Sequence, residues 1–248
     1  MSTGVRPTTP RSTNGVSGEL NEWRDHARVF LQPIAAPSIL GLYGFAAGTF
    51  MVTANLVGWY GNAASPLLIF PFAVAAGGIA QGAAALFAYK ARDALATAIH
   101  GIWAAFWLGY GVLNIMIAVK LIPAAAPGAA VPELGYWFFA LAAITLVGMI
   151  ASLAESLALT SVLAPLWVGA ALLGVYYTLG GTGWEKVGGY VTMASAFTAF
   201  YAASAMMLAA TFGRAILPVG KYRGESPGDR LTYPIQFALG EPGVKQGQ

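Results

Sequence analysis

The chain has 248 residues, of which 57% are hydrophobic and 9% are charged, and its net charge is +3. A soluble domain carries about 25% charged residues, so this composition excludes an ordinary soluble domain and favours a protein whose solvent is the bilayer. The small net charge, without a Lys/Arg stripe, argues against a nucleic-acid partner, and a chain with no cysteine and two histidines is expected to hold no metal and no cofactor.

The N-terminal segment is polar, and no cleavable signal peptide is expected in it. Residues 1–18 are rich in Ser, Thr, Gly and Pro, which predicts disorder. Residues 19–33 have apolar side chains at helical spacing and charged ones on other faces, which predicts an amphipathic helix on the membrane surface. A partner-docking helix and a juxtamembrane linker are the alternatives. The apolar positions are Leu20, Trp23, Ala27, Phe30 and Leu31.

Long uncharged intervals predict an all-α membrane protein with six transmembrane helices within residues 34–217. No charged residue lies between Arg28 and Lys90, and turn-forming residues near Gly58 and Pro66 divide that interval in two. Each interval provides the roughly 20 residues that cross about 30 Å of hydrocarbon, where the backbone must satisfy its own hydrogen bonds. The predicted spans are 37–58, 66–89 and the intervals Asp93–Lys120, Glu133–Glu155, Glu155–Glu185 and Lys186–Arg214.

Basic residues are distributed unequally between the two sides of this arrangement. Six spans put both chain ends on one side, and that side holds 11 of the 13 basic residues: Arg6, Arg11, Arg24, Arg28, Lys90, Arg92, Arg214, Lys221, Arg223, Arg230 and Lys245. The other side has only Lys120 and Lys186. The positive-inside rule therefore predicts an integral plasma (inner) membrane protein with cytoplasmic N and C termini, residues 218–248 forming a cytoplasmic tail.

The predicted spans contain neutral polar residues but no charged ones. A charge at the bilayer centre costs about 2.5–3.5 kcal/mol on insertion scales, and its absence disfavours a pump with a buried carboxylate relay. Most of the polar residues are interpreted as interhelical hydrogen-bonding groups, each worth roughly 0.6 kcal/mol. They are Thr49, Thr53, Asn55, Asn114, Thr145, Thr192 and Ser195, with His100 near the cytoplasmic end of the third span. Pro165 is expected to kink or break the fifth span.

No catalytic motif is visible, and the chain is not expected to be an enzyme. A nucleophile elbow, a phosphate loop and a His-Glu-x-x-His motif are all missing from the sequence. Glu155 has no His or Cys nearby in sequence and is interpreted as a loop charge. Gly44 and Gly48, like Gly78 and Gly82, form small-xxx-small pairs that predict close helix packing. The alternative is that the backbone near these glycines lines a narrow pore.

Four segments carry a resemblance to a known family. They are LGLYGF at 40–45, GGIAQ at 77–81, Phe-Trp at 106–107 and FGRAILPVG at 212–220. Their order and spacing resemble the acetate uptake transporter family, also called the succinate–acetate permeases, from about Pro37 to Gly220. The resemblance implies a six-helix protomer, a homo-oligomer that is a hexamer, and a separate path through each protomer for a short carboxylate. Lipid and this small solute are the expected partners.

The resemblance also implies which residues line the path. A narrow apolar constriction in the family is built from a Phe, a Tyr and a Leu, and these positions fall on Phe45, Trp103 and Leu166. Trp103 departs from the family's Tyr and is expected to narrow or reshape the constriction. The family's Gln at the end of the GGIAQ segment matches Gln81, which is interpreted as a polar contact of the solute. Asn55 is a further predicted polar contact.

A second departure leaves the identity of the solute open. The family signature Asn-Pro-Ala-Pro-Leu-Gly-Leu aligns with residues 36–42, where the Asn is replaced by Ala36. The hydroxyl of Ser38 and the free N–H groups at the helix start are expected to replace the lost amide. Three functions stay open: a path for acetate or a related monocarboxylate or dicarboxylate, a channel for another small, neutral solute, and a non-transporting subunit of a membrane assembly.

Overall fold

The computed structural model describes residues 34–62 and 64–220, and this part of the chain contains six long helices and no strand. All six are long and apolar enough to cross a membrane, which confirms the predicted fold class. They are α1 Pro37–Leu56, α2 Ser65–Lys90, α3 Ala94–Ala118, α4 Pro132–Ser152, α5 Leu157–Leu179 and α6 Thr182–Phe212. The predicted disorder of 1–18, the surface helix of 19–33 and the tail beyond 220 lie outside the described residues.

The helix ends follow local chemistry. Proline, whose missing N–H is no loss in the first turn, stands in the first turn of α1, α2 and α4. The Asp93 carboxylate accepts from the Ala96 N–H at 2.9 Å and caps α3, and the Ser156 hydroxyl accepts from the Leu159 N–H at 3.2 Å and caps α5. Gly213 ends α6 in the left-handed conformation at φ 66°.

The helices form a closed ring. Each helix packs against the next one in the chain, and α1 packs against α6. We call the end with the start of α1 and the end of α6 the proximal end; the α2–α3 and α4–α5 connections also lie there. The opposite end is the distal end. The segment after α6 returns to the proximal end of α5. There the Gly220 carbonyl accepts from the Leu157 N–H at 2.6 Å, and the Val219 carbonyl accepts from the Ala158 N–H at 2.8 Å.

Side chains fill the centre of the ring. The main buried cluster draws residues from α1, α3, α4, α5 and α6, and its most enclosed large members include Leu141, Val162, Leu163 and Leu166. Small residues on α6, such as Ala196, Ala199 and Ala203, allow that helix to lie close to its neighbours. The centre is therefore a packed apolar interior and not an open pore.

Helix α2 changes its winding halfway across. The segments Ser65–Ala73 and Gln81–Lys90 are α-helical, whereas Val74–Ala80 between them is a π-helix. The Gln81 N–H donates to the Ala76 carbonyl, five residues earlier. A π segment is rare and often occurs at functional sites.

Gly44 lets α1 lie directly against this π segment. A Cβ atom at Gly44 would overlap the backbone oxygen of Ala76, the same oxygen that accepts from Gln81. A Cβ at Gly48, one turn later, would be 3.5 Å from the Trp107 ring, an ordinary contact. The two glycines of the predicted small-xxx-small pair thus differ: Gly44 is required for the close approach, while Gly48 has room for a methyl group.

We predict that Gly44→Ala destabilises the protein by about 1–3 kcal/mol, because backbone atoms must move to make room. Gly48→Ala should be neutral or stabilising by roughly 0.5–1 kcal/mol, because Ala favours a helix over Gly. Reversible unfolding in detergent micelles measures both. Equal free energies of unfolding for the two variants would contradict this account of the α1–α2 contact.

Candidate functional site

The three predicted constriction residues come together at the centre of the ring. Phe45 from α1, Trp103 from α3 and Leu166 from α5 are each at most 2% exposed and belong to one buried cluster. The Phe45 and Trp103 rings meet edge to face, with centroids 5.9 Å apart and an interplanar angle of 74°. This geometry is favourable for aromatic pairs and closes the centre of the ring with apolar surface.

A hydrogen bond to helix α4 holds the Trp103 side chain in place. Its indole Nε1–H donates to the Thr145 hydroxyl of α4 at 3.1 Å, and that hydroxyl donates to the Leu141 carbonyl at 2.7 Å. On the other side the indole packs edge to face on Phe106, at 5.6 Å. A tyrosine at position 103 would have no indole N–H. Thr145 is therefore the acceptor that accommodates a tryptophan where the family has a tyrosine.

Leu166 follows an interruption in the hydrogen bonds of α5. Pro165 has no N–H, so the Ser161 carbonyl four residues earlier lacks its usual helical donor. The Thr198 hydroxyl of α6 donates to that carbonyl at 2.9 Å, and the Ser195 hydroxyl donates to the neighbouring Val162 carbonyl at 2.7 Å. Helix α5 stays continuous through Pro165. Of the expected kink or break, the break does not occur, and the Thr198 hydroxyl supplies the missing donor to the Ser161 carbonyl.

A cavity lies on the proximal side of the constriction. Phe45 and Leu166 form part of its wall together with other apolar residues. The polar residues that line it are Ser38, Gln81, His100 and Glu155. No Lys or Arg of the described residues lines the cavity, so an anion inside it would have hydrogen-bond donors but no cationic partner from this part of the chain.

Gln81 and His100 form a buried pair in the cavity wall. They are 1% and 4% exposed, and the Gln81 Nε2 atom lies 3.4 Å from His100 Nδ1, a long hydrogen bond. The Gln81 Oε1 atom has no hydrogen-bond partner among the described residues. The π segment of α2 ends at Gln81, so the change in winding determines the direction in which this side chain leaves the helix.

The other two predicted polar contacts are separated by the length of α1. Ser38 is buried near the start of α1, lines the cavity and has its own interaction partner. Asn55 lies near the distal end of α1, where its Nδ2–H donates to the Tyr60 carbonyl at 3.0 Å and supports the turn after the helix. The structure therefore brings Ser38 and Gln81 together and leaves Asn55 outside the cavity.

Sequence reasoning gave too little weight to His100 and Glu155. The buried face of α3 includes Ala96, His100, Trp103 and Trp107, which recur every three or four residues. Since the resemblance points Trp103 inward, this spacing places His100 on the same face, one turn closer to the proximal end. Glu155 does lie in a loop, as interpreted, but the loop borders the cavity, which the sequence spacing could not reveal.

The polar side chains in the cavity wall can bind a small polar solute. Among the described residues, no cluster of three His, Cys, Asp or Glu side chains is present that could hold a metal ion. The cavity provides neutral donors and acceptors next to a dry, apolar closure. This combination suits the passage of a small solute better than bond-making chemistry.

The chain is similar to proteins of one transporter family. Residues 17–220 match the GPR1/FUN34/yaaH family. The succinate-acetate/proton symporter SatP of Escherichia coli K12 is 29% identical over 188 residues, 76% of this chain and 96% of that protein, as is its Shigella flexneri counterpart. The solved structure of the bacterial acetate channel SatP has a TM-score of 0.67 and 28% identity, covering 76% of this chain and 100% of that one.

We predict that Thr198→Val destabilises the protein by about 1 kcal/mol, because the Ser161 carbonyl, one turn before Pro165, then loses its donor in a partly buried setting. Thr178→Val is the matched control, since the Thr178 hydroxyl bonds the Gly174 carbonyl of its own helix at 2.8 Å. Unfolding in detergent micelles should separate the variants by that amount. If Thr178→Val cost as much as Thr198→Val, the α6 hydroxyl would not be what stabilises α5 at Pro165.

Proposed function

The chain belongs to the GPR1/FUN34/yaaH family, and on this premise we propose that it is a membrane channel or transporter for acetate and related short-chain carboxylates such as succinate. One observation carries the proposal: a closed apolar constriction at the centre of a ring of six helices, with a partly polar cavity beside it. Relatives named as an acetate channel and a succinate-acetate/proton symporter support the solute class. Passage of a solute needs no catalytic group, and no enzymatic activity is proposed.

The constriction acts as the barrier that the solute must cross. An acid such as acetic acid, with a pKa of about 4, is almost entirely anionic at pH 7. A bare carboxylate in an apolar medium is very costly, so Phe45, Trp103 and Leu166 hold back hydrated ions in the closed state. Gln81 and Ser38 offer hydrogen bonds that replace part of the hydration shell as the solute reaches the barrier.

The proposed setting is the plasma (inner) membrane, with the proximal end in the cytoplasm. Lys90, Arg92 and Arg214 lie at the proximal end, whereas Lys120 and Lys186 lie at the distal end, and the positive-inside rule favours this orientation. A hexamer of protomers, each with its own path, is proposed from the likeness to the channel family. Large apolar side chains on the outer faces of α2 and α4, such as Phe72 and Tyr136, suit contact with lipid or another protomer.

A neutral solute is the second candidate. It is favoured by the lack of a cationic side chain among the described lining residues and by Ala36 in place of the family's Asn. Asn55, which the sequence suggested as a solute contact, is proposed only for the distal entrance, since its amide already bonds the Tyr60 carbonyl.

We predict protein-dependent uptake of labelled acetate into liposomes that contain the purified chain, above the leak of protein-free liposomes. A panel with succinate, other short carboxylates and neutral solutes of similar size identifies the preferred class. Flux of neutral solutes without any carboxylate flux would favour the second candidate. A reconstituted, folded protein that moves none of these solutes would remove the transport proposal altogether.

We predict that Leu166→Ala raises the acetate flux, because the shorter side chain widens the constriction. A barrier lowered by about 1.4 kcal/mol corresponds to a roughly tenfold faster rate. Leu173→Ala is the control: Leu173 is also buried in the α5 core but does not line the cavity. Both variants should lose about 2–5 kcal/mol of stability, while only Leu166→Ala should gain flux; equal flux changes would assign the barrier elsewhere.

A further inference from the structure

His100 lies in the cavity wall but has no role in the path proposed above. It is buried two turns into α3, and its ring packs against Gly41 of α1, where a Cβ atom would be 2.5 Å from both Cε1 and Nε2. Gly41 thus creates the room for an imidazole at this depth. Three helices meet at the ring: α3 carries it, α1 supports it through Gly41, and α2 bonds it through Gln81.

The bond from Gln81 defines what the ring presents to the cavity. With the Gln81 Nε2–H group donating to Nδ1 at 3.4 Å, a neutral imidazole has its hydrogen on Nε2 and is a donor there. The Gln81 Oε1 atom, which has no partner in the described part of the chain, is an acceptor. The pair therefore offers one donor and one acceptor. Reversing the amide exchanges the two roles but keeps one of each.

This complement matches one form of a carboxyl group. An undissociated carboxylic acid has one O–H donor and one carbonyl acceptor, so it can satisfy both members of the pair. A carboxylate has only acceptors and would leave one acceptor of the pair facing it. A buried polar group without a partner is costly. The unpaired Gln81 Oε1 atom therefore favours an occupant that donates a hydrogen bond to it.

The cavity lining contains no basic side chain among the described residues. Glu155 is the charged residue that lines the cavity among the described residues, and Asp93, whose carboxylate caps α3, lies two turns from His100. Lys90 and Arg92 lie at the proximal end beyond the cavity lining. An anion in the cavity would therefore have no cationic side chain among the described lining residues.

We propose that His100 and Gln81 form a two-point hydrogen-bonding site for the undissociated carboxyl group of a short acid, immediately before the constriction. The inference rests on the proposed carboxylate transport and deepens it, because it states the form in which the solute reaches the barrier. His100 then determines specificity for groups that have both a donor and an acceptor. A primary amide has the same complement at every pH, whereas a ketone has only the acceptor.

Histidine NMR tests the site directly in the intact chain. The sequence has two histidines, so ¹⁵N-histidine labelling with His26→Gln leaves His100 as the only labelled ring. In lipid nanodiscs at pH 7, acetamide should shift the His100 ring nitrogens and saturate, while acetone, of similar size, should not. No shift with acetamide, or equal shifts with both compounds, would overturn the proposal.

A second experiment, with two variants, tests whether this site takes part in transport. Acetamide should inhibit acetate uptake, and Gln81→Met should raise its half-inhibitory concentration about tenfold or more, the effect of losing a buried hydrogen-bonding group. Asn114→Leu is the control, because that amide bonds the Tyr110 carbonyl of its own helix and does not line the cavity. Equal losses in both variants would contradict the site. If Gln81→Met did not fold, the NMR titration would decide.

The two proposals fail in different ways. A chain that carries acetate but shows no selective His100 shift would contradict the two-point site and leave transport standing. A chain that shows the shift but moves no short carboxylate would contradict the transport function and support the site as a binding site.

Discussion

Every backbone polar group in lipid must find a partner inside the protein, and this requirement governs the whole molecule. It makes long regular helices the default, and the described chain departs from them at two places inside the spans. In α2 the backbone widens into the π segment Val74–Ala80, where the Gln81 N–H reaches the Ala76 carbonyl. In α5 Pro165 removes the donor to the Ser161 carbonyl, and the Thr198 hydroxyl of α6 takes its place.

Both irregular segments of backbone lie next to residues of the candidate path. The π segment ends at Gln81, which lines the cavity, and Pro165 immediately precedes Leu166, which forms part of the constriction. Irregular backbone within a membrane is tolerated where protein or a cavity surrounds it. Here α1 and α3 pack against the π segment, and α6 packs against α5 near Pro165. Gly44 allows α1 to approach the first irregularity closely. The apolar constriction and the polar pair beside it thus depend on the same few backbone adjustments.

The site divides into a part that the sequence could reveal and a part that it could not. Phe45 and Leu166 were assigned through resemblance, and helix periodicity on α3 links Trp103 to His100. The pairing of His100 with Gln81 is different, because the residues lie on separate helices and meet only through packing around Gly41. Asn55 looked equivalent to the other polar residues, yet its position at the helix end commits its amide to a turn.

The sequence by itself determined the number of spans, their approximate ends and the family, because hydrophobic length and charge position act locally along the chain. Proline at the helix starts and the caps at Asp93 and Ser156 are equally local. Only the tertiary structure decided how α2 winds through its glycines, which donors satisfy the carbonyls before Pro165, and which polar groups share a cavity. These depend on atoms from different helices, whose distances no local pattern encodes.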